Sequence, residues 1–180
     1  MVIWNEPHYD PSIHHRRSIR LKDYEYALSG AYFVTLCVES RVCAFGTVKD
    51  ESVILSELGE VVQRAWLWLE EHFDHVELDE FIVMPNHLHG ILVLTEAEEG
   101  GSRTAPTMPE RRKPLGRLIG AYKTVSTKQI NLFRETPGAR LWQRDFFEHV
   151  IRGEKELERA RHYIQMNPVR LPEDKYNPGQ

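Results

Sequence analysis

The fold turns on VELDEFIVMPNHLHGILVL, residues 76–94. Two apolar runs, Val76 to Met84 and His87 to Leu94, flank Pro85-Asn86, a pair that favours a turn over continued extension. Each run is too short for a typical helix and rich in β-branched or aromatic residues, so the stretch reads as two strands joined as a hairpin. Upstream, AYFVTLCV from Ala31 alternates Tyr32, Val34, Leu36 and Val38 against Phe33, Thr35 and Cys37, which predicts a strand buried on part of both faces. A second short strand is expected over Val42-Cys-Ala-Phe45, ended by Gly46.

Between these strands Ser56 is placed to cap a helix whose Leu58, Val61, Val62, Ala65, Trp66 and Leu69 fall at helical spacing. A second helix is predicted over residues 115–133, with Leu118, Ile119, Tyr122, Val125, Ile130 and Phe133 apolar, and Pro137-Gly138 beyond it. A strand over 145–151 and a last helix over 154–166, stopped by Pro168, complete the pattern. After the opening strands the order is helix, two strands, helix, strand, helix. That order predicts an α+β protein, a ferredoxin-like α/β sandwich with a central antiparallel sheet. Residues 1–29 read as a polar N-terminal basic arm, 30–170 as the main domain, 96–114 as a flexible loop within it, and 171–180 as a C-terminal tail.

The chain has 180 residues, which suits one domain. No apolar run approaches the ~20 residues of a membrane helix, and the start lacks the apolar segment of a signal peptide. Two cysteines, Cys37 and Cys43, cannot staple a domain of this size and read as small apolar filling. The expected setting is a reducing cytoplasm, with no membrane partner. A net charge of −4 argues at face value against a nucleic-acid protein, but the charge is unevenly spread. Residues 50–99 carry thirteen acids against Arg64 alone, leaving the rest of the chain strongly basic. The bases gather at Arg16, Arg17, Arg20 and Lys22, at Arg111, Arg112 and Lys113 through Lys128, and from Arg140 to Arg170. Such a molecule can hold a phosphate backbone on one side.

Two constellations carry chemistry. In a strand, residues i and i+2 share a face about 7 Å apart, so His87 and His89 project together and can reach one metal ion. Gly90 beside them is expected to give a bulky ligand access to the backbone. His-x-His alone is equally what two strand histidines without a metal look like. In His162-Tyr163-Ile-Gln-Met-Asn167-Pro168, Tyr163 and Asn167 lie on one helical face about 6 Å apart. The phenol can act as a nucleophile and the Asn167 carbonyl oxygen can ligate a hard cation. Packing of the ring and capping by Asn167 would explain the same pair without chemistry.

Taken together, PNHLHG resembles the HUH motif of single-tyrosine HUH transposases, and Tyr163-Ile-Gln-Met-Asn167-Pro168 resembles the nucleophile helix of the REP-associated tyrosine transposase branch. Arg20-Leu-Lys-Asp-Tyr24, Gly30 to Thr35, Cys43-Ala-Phe45-Gly46 and Trp142 to Arg152 are similar to recurring phrases of that branch. The resemblance implies a ferredoxin-like core with HUH on a central strand. It also implies metal-dependent cleavage and rejoining of single-stranded DNA, at hairpin or repeat sequences, through a 5′-phosphotyrosine that leaves a free 3′ hydroxyl. On this reading Tyr163 is the catalytic nucleophile, and His87, His89 and Asn167 hold a divalent ion, Mg²⁺ or Mn²⁺.

Arg159, one turn before Tyr163, is a candidate helper with Arg161 and His162, and His149 is a further candidate near the metal. Arg16, Arg17, Arg20, Arg111, Arg112, Lys113, Tyr122, Lys123 and Arg159 are candidate DNA contacts, Tyr122 and Lys123 by stacking and phosphate contact. The state, homodimer or monomer, is left open. The alternatives are a domesticated DNA-binding protein of the same fold that no longer transposes, and a metal phosphodiesterase that uses water.

Overall fold

The computed structural model describes residues 29–95 and 113–170. A four-stranded antiparallel sheet, in the order β4-β5-β1-β6, is built from β1 (Gly30–Cys37), β4 (Val76–Met84), β5 (His87–Leu94) and β6 (Phe147–Ile151). Helices α1 (Glu57–His72), α2 (Leu115–Phe133) and α3 (Glu154–Gln165) connect or follow these strands. Leaving aside a small hairpin of β2 (Gly46–Lys49) and β3 (Ser52–Leu55), the chain order is βαββαβ plus one helix. This is the ferredoxin-like sandwich expected from the sequence.

The period-2 pattern of β1 and β5 sorts the two faces of the sheet. Tyr32, Val34, Leu36, Leu88 and Leu92 point to α1 and α2, where they meet Val62, Trp66, Leu69, Leu118 and Tyr122 in the main core. The opposite face is smaller. There Phe33, Ile91 and Ile151 meet Ala160 and Ile164 of α3, with Leu157 and Tyr163 partly buried against them. Register places Cys37 opposite His87, Thr35 opposite His89 and Phe33 opposite Ile91, so both histidines share the α3 face.

Several boundaries follow the sequence closely. The Ser56 hydroxyl accepts the Gly59 N–H at 3.2 Å and caps α1. The strand expected over 42–45 does not form. Val42 is exposed, and Phe45 spends its N–H on the Pro85 carbonyl and its C=O on the Ser56 N–H instead of entering a ladder. Pairing starts instead at Gly46, where β2 and β3 form a hairpin closed by Asp50 and Glu51, both with positive φ. The strand expected over 145–151 begins only at Phe147.

Strand β4 carries a register shift between Leu78 and Phe81. Val76 and Leu78 face the main core before it, Phe81 and Val83 after it. The interruption leaves the adjacent acids Asp79 and Glu80 turned toward α3. No helix among the described residues is long and apolar enough to cross a membrane.

Candidate functional site

Strand β5 is the second strand from one edge of the sheet, and its first three residues form the floor of the site. His87 and His89 are both essentially buried, with ring centroids 4.6 Å apart. Each Nδ1 meets an oxygen: His87 that of Asn86 Oδ1 at 2.7 Å, His89 that of Thr35 Oγ1 at 2.8 Å. The Asn86 amide nitrogen donates to the Arg41 carbonyl at 3.3 Å, which fixes Oδ1 as the atom facing His87. His87 Nδ1 therefore carries the proton, and its lone pair lies at Nε2. The Thr35 hydroxyl can accept from His89 in the same sense. An imidazole oriented by an oxygen on Nδ1 and presenting Nε2 is the usual state of a metal-ligating histidine.

Helix α3 closes the site from above. The Tyr163 ring stands edge-on to His89, with centroids 5.2 Å apart, and edge-on to Phe33 at 5.9 Å. Phe33 itself stacks on His89 at 5.5 Å. One turn beyond Tyr163, Asn167 is also buried, its backbone N–H on the Ile164 carbonyl at 3.2 Å. No three His, Cys, Asp or Glu side chains among the described residues are grouped to hold a metal. A third donor would come from another residue type, and an amide oxygen such as that of Asn167 is chemically suited to a hard divalent ion. Two imidazoles with one carbonyl oxygen would suit Mn²⁺ better than Mg²⁺, which prefers oxygen ligands.

What holds α3 in this position was not foreseen from the sequence. Arg161 grips Asp79 with two parallel hydrogen bonds, 2.8 Å from Nε and 2.6 Å from Nη2. One turn on, the Gln165 amide donates to Glu80 at 2.9 Å. The Arg161 hydrogen bond is the main cause holding the Asp79 carboxyl below its ordinary pKa. At the other end of α3, His149 bonds Glu156 at 3.0 Å, and the Arg152 N–H donates to the same carboxylate. The adjacent acids Asp79 and Glu80, which break the alternation of β4, were a local signal that the strand meets polar partners, without naming them. For Thr35 the signal was a lone hydroxyl in an apolar run, and for Asn86 its place beside the first histidine.

Several expected roles move. Tyr122 is fully buried, edge-on to Trp66 at 5.2 Å and tilted against Trp142 at 5.5 Å, so it has no face for a base to stack on. Lys123 directs its ammonium to the carbonyls of Gln143, Arg144 and Asp145 at 2.7, 3.2 and 3.1 Å, which makes it a tether of the chain. Arg159 is exposed and turns its Nε back to the Lys155 carbonyl at 3.1 Å, and Arg161 is committed to Asp79.

His149 braces α3 through Glu156. Lys113 lies over the Phe73 ring at 4.5 Å. Cys43 is exposed, so it fills no core. Gly90 serves the other face: a Cβ there would meet the Trp66 ring at 2.5 Å, so the missing side chain makes room for the indole and opens no path for a ligand. Arg16, Arg17, Arg20, Arg111 and Arg112, with the arm over 1–28, most of the expected 96–114 loop and the tail over 171–180, lie outside the described residues.

No protein-family model matches the chain. An "Uncharacterized protein" of Haemophilus influenzae is 36% identical over 173 residues, covering 92% of this chain and 95% of its own. A second Haemophilus influenzae protein, described as "Putative REP-associated tyrosine transposase", is 24% identical over 147 residues, covering 81% of this chain and 74% of its own. Among solved structures, a REP-associated tyrosine transposase bound to a REP hairpin shares the fold, with a TM-score of 0.56 and 21% identity over 85% of this chain and 74% of that one.

Proposed function

We propose that the chain is a REP-associated tyrosine transposase, a reading supported by its likeness to a relative so described and to a solved transposase of the same fold, and that it cuts and rejoins single-stranded DNA with Tyr163 as nucleophile. The observation that carries the reading is the edge-on contact of the Tyr163 ring with His89, on the buried strand face where the His87 and His89 ring centroids lie 4.6 Å apart. A structural tyrosine needs no such neighbours. A phosphoryl-transfer site needs both, because nucleophile and electrophile must be held within a few ångströms.

In the proposed reaction the Tyr163 phenolic oxygen attacks the scissile phosphorus as the bond to the 3′ oxygen breaks. The phenol loses its proton and the leaving 3′ oxygen gains one, so a 5′-phosphotyrosine and a free 3′ hydroxyl result. Attack by another 3′ hydroxyl reverses the step and rejoins a strand without outside energy. His87, His89 and Asn167 would hold a divalent ion, which when bound supplies Lewis-acid polarisation of the scissile phosphate. Asn86 Oδ1 would keep His87 in the tautomer that presents Nε2, and the Thr35 hydroxyl can do the same for His89 by accepting from its Nδ1. Phe33, stacked on His89 and edge-on to Tyr163, fixes the spacing of the two and keeps water from the apolar side.

The solved relative is described as bound to a REP hairpin, which supports hairpin-bearing single strands as the substrate. The test is incubation with a labelled single-stranded hairpin and Mn²⁺ or Mg²⁺, followed by denaturing electrophoresis. A protein-linked product that maps to Tyr163 is the expected result. Hydrolysed DNA without an adduct would point to water as nucleophile, and binding without any cut would point to a domesticated DNA-binding protein.

A further inference from the structure

A second feature of the fold lies beyond the histidines. The last three turns of α2 and the segment that follows it, residues 135–144, enclose an open groove of about 1170 Å³. Its two walls are tied together by side chains at three levels of α2. The Lys123 ammonium holds the carbonyls of residues 143–145, the Ser126 hydroxyl accepts from Trp142 Nε1 at 2.9 Å, and the Asn131 amide donates to the Ala139 carbonyl at 2.8 Å. A groove pinned this way is set in width before anything enters it.

Its chemistry is one-sided. Lys128, Arg140 and Arg144 line it and are exposed, against a single lining acid, Glu135. At the end of α2, Leu132 is 82% exposed and the neighbouring Phe133 is 56% exposed. Cations over a pinned floor, with the exposed Leu132 in its lining, suit a flexible polyanion that carries apolar bases. From Lys123 to Leu132 the helix runs about 14 Å, room for a few nucleotides.

The groove also points somewhere. The Gln143 N–H donates to the Cys37 carbonyl at 2.9 Å, and Cys37 is the register partner of His87. Val38 bridges Trp142, and its N–H bonds the Asn86 carbonyl at 2.9 Å. One end of the groove therefore abuts the end of the sheet at which the histidine pair sits. We propose that this groove holds the single strand flanking the cut, gripping its phosphates with Lys128, Arg140 and Arg144; this rests on the DNA-cutting reading above.

The test uses the full chain without divalent metal and a fluorescein-labelled oligothymidylate of about twelve nucleotides, so that neither hairpin recognition nor cleavage enters. Binding is followed by anisotropy across a salt series. Neutralising three phosphate contacts in the triple variant Lys128→Gln, Arg140→Gln, Arg144→Gln should reduce the slope of log affinity against log salt by about 2 for single strands.

All three side chains are exposed, so an unchanged melting temperature establishes that the variant is folded. An unchanged slope in the triple variant overturns the proposal, as does a wild type that leaves the oligomer unbound. Tighter binding of the matching oligouridylate assigns the groove to RNA and overturns it too. Failure of the adduct assay with these binding results intact would instead count against Tyr163 chemistry alone.

Discussion

Replacing Gly90 by alanine tests whether the strand beneath the histidines is held by the indole behind it. A Cβ at residue 90 would lie 2.5 Å from Trp66 Cζ2 and 3.0 Å from Cε2. Carbon atoms settle near 3.5–4.0 Å, so strand or indole must give by about 1 Å. The indole has nowhere to go: it is fully buried, edge-on to Tyr122 at 5.2 Å and against Phe81 at 6.3 Å. Overpacking of this kind costs about 1–3 kcal/mol. In a domain of this length about 2 kcal/mol corresponds to a fall in melting temperature of about 4–8 °C.

Trp66→Phe shortens the ring system and should make Gly90→Ala less harmful, with a coupling of about 1 kcal/mol in the double-mutant cycle. Urea or thermal unfolding of the four proteins reads both quantities. Imidazole chemical shifts report whether β5 has moved, since His89 is bonded to residue 90. A Gly90→Ala protein melting within a degree of wild type, or strict additivity in the cycle, would refute the reasoning.

Tyr163→Phe removes one oxygen and keeps the edge-on ring contacts, so fold and metal affinity should persist while the covalent adduct disappears from denaturing gels. Replacing both His87 and His89 with alanine should abolish cleavage and leave single-strand binding within a few-fold; retained cleavage would remove the metal reading. Asn167→Ala should raise the Mn²⁺ concentration needed for half-maximal cleavage, measured by titration, because one ligand of a small set is lost. The Asp79–Arg161 pair should show in the acid limb of stability. A carboxyl held below its unfolded pKa of about 3.9 stabilises fully above that value and loses its contribution as the pH falls through the folded pKa. Arg161→Gln should therefore melt lower than wild type at neutral pH, with the gap closing below about pH 4; a gap constant down to pH 2.5 would contradict the clamp.

Much of this was legible in the residues because burial leaves a periodic trace. His87, His89 and Ile91 share one parity and Leu88 and Leu92 the other, so the strand, its faces and the histidine pair could be read together. The hairpin of β2 and β3 escaped because Asp50-Glu51 is an uncommon occupant of a turn with two positive φ values, where Asn-Gly would have announced it. The roles of Tyr122 and Gly90 were misread for a shared reason. Both depend on which element packs behind the residue, and Trp66, which lies against each, is distant in sequence. The Asp79–Arg161 clamp joins residues 82 positions apart, and no local pattern encodes such a pair.

The small second core has a consequence in time. The central pairing of β1 with β5 is available once residue 94 has been made, whereas α3 ends at Gln165. At ordinary synthesis rates of about 5–20 residues per second, those 71 residues take about 4–14 s. Through that interval the sheet face bearing Phe33, Ile91 and both histidines has no lid, while its other face can already pack against α1. The helix with Tyr163 then docks last, on only a few apolar residues and two polar grips from β4. Tyr163 is thus delivered to a finished floor, and its helix should be the first element to exchange its amide hydrogens when the folded protein breathes.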